Sequence, residues 1–516
     1  MRGKSAYQPV NTRSRQPGFA ELIDPLDVRD AADLARLLDQ LGCSDDLIVV
    51  SNRAPCIHSH TPDGIKAQRP AGGLVTALEA VLSQGGGSWI AHGSGNADRE
   101  TCDDTSHVLP HHLKAPYRLR RLWLGDDEVK GYYDGLANEA LWPLCHETPV
   151  APTFRAGDWD HYVAVNRRFA EAIVAEASSA RPVVMVQDYH LALVPQMVRE
   201  HLPDAVIITF WHIPFPAPHV LQRFPWHEQL MNGLLASTVM GLQTPRDLAH
   251  FNAARGNRPV SARSAHAGAY PISIGWPGRQ AFSQLAVRHE VGQRFGIQAG
   301  VRLLVGVDRM DYTKGIPERL QAFELLLERC PELRGQVSLL QIGAPCRGAL
   351  PAYQEIARQV ASLVERINAR FGQDGWQPVI LHAASLDATA VTACYRASDV
   401  CVVTSLHDGM NLVAKEFVAA RSDLRGVLVL SRKAGAAAEL GQALQVDPRD
   451  IAGTASAMEA ALAMNEAEQL ARMRAMRGVV SQHTVFGWAA QLLADGLRIA
   501  TGRTGRSAAV GMRAAA

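Results

Sequence analysis

Several common signatures are missing from this chain, and each absence removes a class of function. Its cysteines (Cys43, Cys56, Cys102, Cys145, Cys330, Cys346, Cys394 and Cys401) are scattered, with no C-x-x-C pair. That argues against a zinc ribbon or a disulfide framework and for reduced cytoplasmic thiols. No His/Cys/Asp cluster has metal-ligand spacing, so no metal site is expected. No apolar run approaches the roughly 20 residues that a membrane span needs. The first residues, Met1-Arg2-Gly3-Lys4-Ser5, lack the apolar core of a signal peptide. Charge of either sign is not in excess: 52 Lys and Arg face 51 Asp and Glu, a formal net of +1. Nothing in bulk draws the chain to nucleic acid or to a membrane surface. Gly-x-Gly-x-x-Gly, the P-loop and Gly-x-Ser-x-Gly are all absent. Hydride transfer, P-loop nucleotide hydrolysis and acyl transfer therefore lack their usual parts.

What is present is a soluble α/β chain. At 516 residues, 47% hydrophobic and 20% charged, it is too long for one compact core and suits two. Residues 1–17 are polar and expected to be disordered. Asp27 to Leu41 reads as an amphipathic helix. Apolar strand candidates then alternate with helix candidates, the signature of parallel sheets. They are Leu47–Ser51, Trp89–His92, Arg118–Trp123, Val183–Gln187, Val206–Trp211 and Thr238–Leu242, then Leu303–Val307, Val337–Ile342, Val379–His382, Val400–Thr404 and Val427–Leu430. Helix candidates include Leu74–Leu82, Asn166–Ala177, Leu191–His201, Pro317–Arg329, Tyr353–Phe371 and Ala388–Ala397. A cluster of Pro271, Gly275, Pro277 and Gly278 marks the break. The expected division is 18–275, 276–485, a returning helix over 486–500 and a flexible tail over 501–516. Each half is read as an open α/β sheet, with the ligand in the cleft at strand C-terminal ends.

The richest segment is Ser405-Leu406-His407-Asp408-Gly409-Met410-Asn411-Leu412-Val413-Ala414-Lys415-Glu416. It follows an apolar strand and opens a helix, so backbone N–H groups and the helix dipole can face an anion. Asp408 and Glu416 are poorly placed for phosphate but well placed to accept from sugar hydroxyls. Amides for an anion plus carboxylates for hydroxyls suggest a sugar nucleotide. Arg309 and Lys314, in Asp308-Arg309-Met310-Asp311-Tyr312-Thr313-Lys314-Gly315, follow a strand and suit a diphosphate: one planar fork, one mobile point charge. The plain alternative is an Arg–Asp surface pair and a solvated lysine.

Other strand ends add polar groups, each with a structural alternative. Arg53 ends the first strand, and Gly72-Gly73 would let backbone approach a ligand. His212, in Trp211-His212-Ile213-Pro214-Phe215-Pro216, can meet a sugar hydroxyl, act as acid or base, or simply cap its strand. Asp188 can bind hydroxyls or make a turn. Tyr133 and Trp142 suit sugar faces or packing. Arg347 can reach the cleft or be a solvated loop residue.

The order of these motifs, from Ser51-Asn52-Arg53 to Asp408-Gly409-Met410-Asn411-Leu412-Val413-Ala414-Lys415-Glu416, resembles the trehalose-6-phosphate synthase family. The resemblance runs from about Leu47 to Trp488. It implies a retaining, nucleotide-sugar-dependent glucosyltransferase with two Rossmann-like domains facing a central cleft, the GT-B fold. It implies that Arg309 and Lys314 bind the donor diphosphate, with Gly409, Met410, Asn411 and Leu412 at the helix start. Glu416 would hold the ribose, His212 and Asp408 the donor glucose, and Gly73 would line the donor cleft. His212, Arg309, Lys314 and Asp408 would form the catalytic set. Arg53, Tyr133, Trp142 and Arg347 would bind the acceptor phosphate, with Asp188 beside the acceptor hydroxyls. No cofactor or metal is implied, only the co-substrate, with UDP-glucose expected and the base left open by the side chains. The resemblance implies small-molecule partners, no nucleic acid and no membrane. A homo-oligomer is compatible with it, and dephosphorylation would fall to a separate phosphatase.

Some positions depart from the family's bacterial pattern. His92 stands where a tryptophan is usual, Trp211 precedes His212 where leucine is commoner, and the junction reads Tyr270-Pro271-Ile272-Ser273-Ile274-Gly275-Trp276-Pro277. About 45 residues precede the first strand. These changes bear most on the acceptor. Glucose 6-phosphate is expected; glycerol 3-phosphate, a silent sugar-phosphate sensor and a cyclitol-joining relative are the alternatives.

Overall fold

The computed structural model describes residues 23–514 except 43–45, 69–74, 76, 77, 80, 84, 85, 257–264, 279 and 374, with side chains to residue 502. The polar segment 1–17 and the pair Gly72-Gly73 lie outside the described residues.

Strands β1 (Leu47–Arg53), β4 (Ser88–His92), β5 (Arg118–Leu122), β6 (Val183–Gln187), β7 (Val206–Phe210), β8 (Val239–Leu242) and β9 (His266–Ala269) form one sheet, in the order β5-β4-β1-β6-β7-β8-β9. Every pairing in it is parallel. A second sheet takes β10 (Arg302–Arg309), β11 (Val337–Ala344), β12 (Val379–His382), β13 (Val400–Val403), β14 (Val427–Ser431) and β15 (Leu444–Val446), in the order β12-β11-β10-β13-β14-β15. It too is wholly parallel. A small antiparallel hairpin, β2 (Ile57–Thr61) with β3 (Gly64–Gln68), stands apart. The central strands are buried on both faces, as helix-covered parallel sheets must be: Val183–Gln187 and Val400–Val403 are buried throughout.

Each sheet has one point at which strand order reverses. In the first sheet the chain leaves β1 towards β4 and β5, then returns to β6 on the other side. In the second it leaves β10 towards β11 and β12, then returns to β13. Loops leaving adjacent strands at such a point diverge and open a crevice at the strands' C-terminal ends. The two crevices face one another, so four loops converge: those after β1, β6, β10 and β13.

The chain passes between the sheets ahead of the helix Gln284–Phe295, through 271–278 and 280–283, which carry neither helix nor strand. It returns by the last helix, Val485–Ala514. That helix sits on the first sheet: Cβ atoms built on Gly241 of β8 and on Gly496 would lie 3.0 Å from Leu492 and 2.8 Å from Ile208. Tyr270 Oη donates to Asp495 Oδ2 at 2.7 Å. The helix Ala31–Leu41, capped by Asp30, buries Leu34, Leu37 and Leu38 and packs against the same last helix. Between the halves, the buried Lys415 ammonium donates to the Ile272 carbonyl at 2.9 Å and to Glu439 at 2.8 Å.

Candidate active site

Arg309 is the last residue of β10, and Arg347 follows β11 in a left-handed conformation with φ of 47°. Both reach across the cleft to the other half. Their guanidinium carbons lie 5.2 Å and 4.2 Å from the ring centre of Trp142, within cation–π range. Arg347 Nη2 also comes within 3.5 Å of the Tyr189 hydroxyl. A fully buried carboxylate, Asp311, lies 3.6 Å from Arg309 and 3.5 Å from Arg347. One carboxylate therefore faces two guanidiniums. Arg347 Nε and Trp142 Nε1 are buried with no acceptor among the described residues. A half-enclosed place with more donors and more positive charge than its acceptors balance favours an anion.

Arg53 extends that cationic edge. A bulge in β1 between Ser51 and Arg53 shifts the register so that Arg53 pairs with His92, and bulges of this kind re-aim a side chain. Arg53 is exposed. Tyr133 registers both arginines: burial raises its hydroxyl, but Arg347 and Arg53 outweigh it and hold the group below its ordinary value. The ring of Tyr133 stacks on His190 at 5.7 Å. Tyr133 and Trp142 belong to one uninterrupted helical run over residues 126–146, wound as a π-helix from Val129 to Leu141. π-Helical segments occur often at functional sites.

On the other side stands the loop after β13. Asp408 Oδ2 accepts from Lys314 Nζ at 2.6 Å, from Asn411 Nδ2 at 3.1 Å and from Ser405 Oγ at 3.1 Å. Burial pushes the Asp408 carboxyl up, but Lys314 prevails and holds it well below the usual range. Asn411 adopts the left-handed conformation that asparagine tolerates, with φ of 69°, and caps the helix Leu412–Ala420 by accepting from the Ala414 amide. Met410 is buried. The amides of Leu412 and Val413 open that helix, where no intrahelical carbonyl can reach them. Glu416, one turn on, accepts from Tyr395 Oη at 3.1 Å, and burial raises its carboxyl. Gly315 is required by its neighbour: with φ of 62°, a Cβ there would lie 2.0 Å from the Thr404 carbonyl oxygen.

His212 and Asp188 lie between these groups. His212 N–H donates to Asp188 Oδ1 at 3.1 Å, and His212 Nε2 lies 2.9 Å from Gln187 Oε1. Burial lowers the imidazole to about 3, so the ring is neutral at physiological pH. With its N–H committed to the glutamine oxygen, Nδ1 is free to accept from a hydroxyl. Towards a ligand the ring is thus a hydrogen-bond acceptor, its one N–H being given to Gln187 Oε1. Asp188 has φ of 74°, and burial pushes its carboxyl up to about 6.

The structure thus brings Arg309, Lys314, Asp408, Gly409, Met410, Asn411, Leu412, Glu416, His212, Asp188, Arg53, Tyr133, Trp142 and Arg347 to the facing switch points. Gly73 lies outside the described residues. Asp311, Tyr189, Tyr353 and Gln187 were not singled out from sequence. Asp311 had one signal, its position between Arg309 and Lys314. Beside the cationic edge lies a cleft of about 740 Å³, lined by His92, Asp126, Lys130, Asp134, Arg155 and Leu350 among others. Among the described residues, no group of three or more His, Cys, Asp or Glu could hold a metal ion. No helix among them is long and apolar enough to cross a membrane.

Two Rossmann-like domains, joined by a returning C-terminal helix and meeting at a cationic cleft, define a GT-B glycosyltransferase. The match to solved structures agrees. An E. coli trehalose-6-phosphate structure with UDP-2-fluoro glucose bound superposes with a TM-score of 0.76 at 31% identity, covering 87% of this chain and 98% of that one. A UDP-forming α,α-trehalose-phosphate synthase from Burkholderia xenovorans, in complex with glucose-6-phosphate, superposes with a TM-score of 0.75 at 33% identity over 87% of this chain and 99% of that one. The chain belongs to glycosyltransferase family 20, whose profile matches residues 45–496. Trehalose-6-phosphate synthases of Mycolicibacterium paratuberculosis and Mycolicibacterium smegmatis are 38% and 39% identical to it. The alignments cover 87% and 92% of this chain, and 95% and 96% of those proteins.

Proposed function

We propose that this chain transfers glucose from UDP-glucose to glucose 6-phosphate, retaining the α configuration and giving α,α-trehalose 6-phosphate and UDP. The observation that carries this reading is the cation cluster spanning the cleft: Arg309 and Arg347 from one half, over Trp142 of the other. It supports a leaving diphosphate and an acceptor phosphate side by side. The half over 18–275 takes the acceptor and that over 276–485 the nucleotide sugar.

In this reading Arg309 and Lys314 hold the diphosphate, with the helix start at Asn411 and Leu412. Glu416 holds the ribose. Asp408 and His212 hold the glucose, His212 accepting a hydroxyl at Nδ1. Arg53, Tyr133, Trp142 and Arg347 hold the acceptor phosphate, and Asp188 the acceptor hydroxyls. The acceptor hydroxyl attacks the anomeric carbon from the face the diphosphate leaves. The bond from that carbon to the phosphate oxygen breaks, and a diphosphate oxygen takes the hydroxyl proton. Transfer rests on positioning and on charge stabilisation of the leaving group. The enzyme works in the cytoplasm, and removing the product's phosphate falls to a separate phosphatase.

The test is UDP release from UDP-glucose, comparing glucose 6-phosphate with glycerol 3-phosphate. Release with glucose 6-phosphate supports the reading. Release only with glycerol 3-phosphate reassigns the product, and silence with both, repeated with ADP- and GDP-glucose, removes the reading.

A further inference from the structure

The ring of His407 is held at both nitrogens by the opposite half of the molecule. Nδ1 lies 3.1 Å from the carbonyl oxygen of His146, and Nε2 lies 2.7 Å from Arg246 Nη2. A carbonyl can only accept and a guanidinium can only donate. One form of the ring satisfies both partners: the neutral tautomer protonated at Nδ1. The residue is 9% exposed, and its ring meets that of His146 edge-on at 6.4 Å. Burial and the Arg246 charge lower the imidazole to about 4, in keeping with a neutral ring.

The partners on either side give this bridge its meaning. Its carbonyl taken by His407, His146 turns its ring back on its own helix: Nδ1 lies 2.8 Å from the Trp142 carbonyl oxygen. Trp142 is the ring on which Arg309 and Arg347 rest. In the other direction, the residue after His407 is Asp408, which binds Lys314, Asn411 and Ser405. One further on, Gly409 abuts the His212 backbone. An unbroken polar chain, Arg246–His407–His146–Trp142, therefore links the loop bearing Asp408 to the tryptophan of the acceptor half.

We propose that His407 is a positioning residue for glycosyl transfer, tying the Asp408 loop to the acceptor half so that the donor sugar and the acceptor are held in one register. It touches neither reactant in this scheme and acts through Asp408 and Gly409. The inference rests on the reading that Asp408 holds the donor glucose.

The experiment is steady-state kinetics of His407→Ala and Arg246→Ala with UDP-glucose and glucose 6-phosphate, together with the double variant. Misplacing reacting groups by about 1 Å can cost on the order of 100-fold, so His407→Ala should lose roughly 10- to 100-fold in kcat. The donor KM should rise and the acceptor KM stay within about twofold. Arg246 is exposed, so Arg246→Ala should fold and shift the same parameters in the same direction by less. The double variant should be no worse than His407→Ala alone, because both remove one bridge. His407→Gln, whose side-chain oxygen can still accept from Arg246, should recover part of the loss. Wild-type turnover with a near-normal His407→Ala would overturn the inference alone, as would additive effects in the double variant or equal shifts in both KM values. Should His407→Ala fail to fold, a kinetically normal Arg246→Ala overturns it. A wild-type protein silent with these substrates would sink the functional reading, and this inference with it.

Discussion

Gly409, in the donor half, lies so close to His212, in the acceptor half, that a Cβ on the glycine would sit 2.0 Å from the histidine carbonyl oxygen. Behind it, a Cβ on Gly435 would lie 2.0 Å from the Gly409 carbonyl oxygen. Three backbones are stacked at a distance only glycine permits. Both obstacles are backbone atoms, so neither can swing aside. Gly409→Ala should force the halves apart and lower kcat/KM on the order of 100-fold, with the protein still folded. Kinetics with a thermal melt checks this; a variant with ordinary kinetics would mean the cleft works in a more open form than the one described.

Arg309 combines a charge with a planar face. Removing a preorganised charge contact to a developing anion costs about 100- to 1,000-fold in kcat. Arg309→Ala should fall in that range. Arg309→Lys keeps the charge but loses the stacking over Trp142 and the fork geometry, so it should recover only part of the loss. Turnover near wild type in Arg309→Ala would remove it from the leaving-group site.

The sheets were legible in the sequence because their central strands are buried on both faces. The central Val183–Gln187 and the edge strand Val379–His382 coincide with their observed bounds, and the others differ by one or two residues at one or both ends. Some short or polar elements were not. The hairpin of β2 and β3 is polar, and β9 is the short run His266–Ala269. The helical run over 126–146 was missed because Gly131, Gly135 and Pro143 argue against a helix and π-winding breaks the 3.6-residue period. Those glycines answer to tertiary neighbours that sequence cannot reveal: a Cβ would meet His161 at 2.5 Å in one case and Asp158 at 2.2 Å in the other. In the site, residues at strand ends were legible, since a parallel strand delivers its last side chain to the cleft. Asp311, Tyr189 and Tyr353 were not, because what marks them is their approach to Arg347 (and, for Asp311, to Arg309 as well), a meeting that the fold makes and no local pattern shows.

Buried neutral histidines should make the fold acid-sensitive. Burial lowers His146 and His212 to about 3, and burial with Arg246 lowers His407 to about 4. Unfolded, each takes a proton near 6.5; folded, none does until far lower. The unfolded chain therefore binds more protons below about 6.5, and stability falls as pH drops from there towards 4. Asp188, pushed up to about 6 by burial, acts oppositely, since its folded form takes a proton first. Glu416, which burial also raises, acts with Asp188, while burial depresses His92 and His190 as well; the depressed imidazoles outweigh the raised carboxyls, so Tm should decline between pH 7 and pH 4.5. Calorimetry across that window checks the sign, and a flat or rising Tm would mean that these rings are charged in the fold.

Arg53 and Arg347 both act on Tyr133, yet their loss should differ in kind. Arg53 is exposed at a strand end and has no side-chain partner among the described residues that its removal would strand. Arg53→Ala should raise the acceptor KM more than the donor KM, with the melting temperature nearly unchanged. The Arg347 side chain is 6% exposed. It bonds the Tyr353 hydroxyl and approaches Asp311 and Tyr189 at 3.5 Å each. Arg347→Ala leaves Asp311, fully buried, with one guanidinium fewer, and removing one partner of a buried pair costs about 3–5 kcal/mol. It should therefore lower both stability and turnover. Measuring the two KM values and Tm for each variant separates the roles. A larger donor than acceptor effect in Arg53→Ala would show that the two subsites are exchanged.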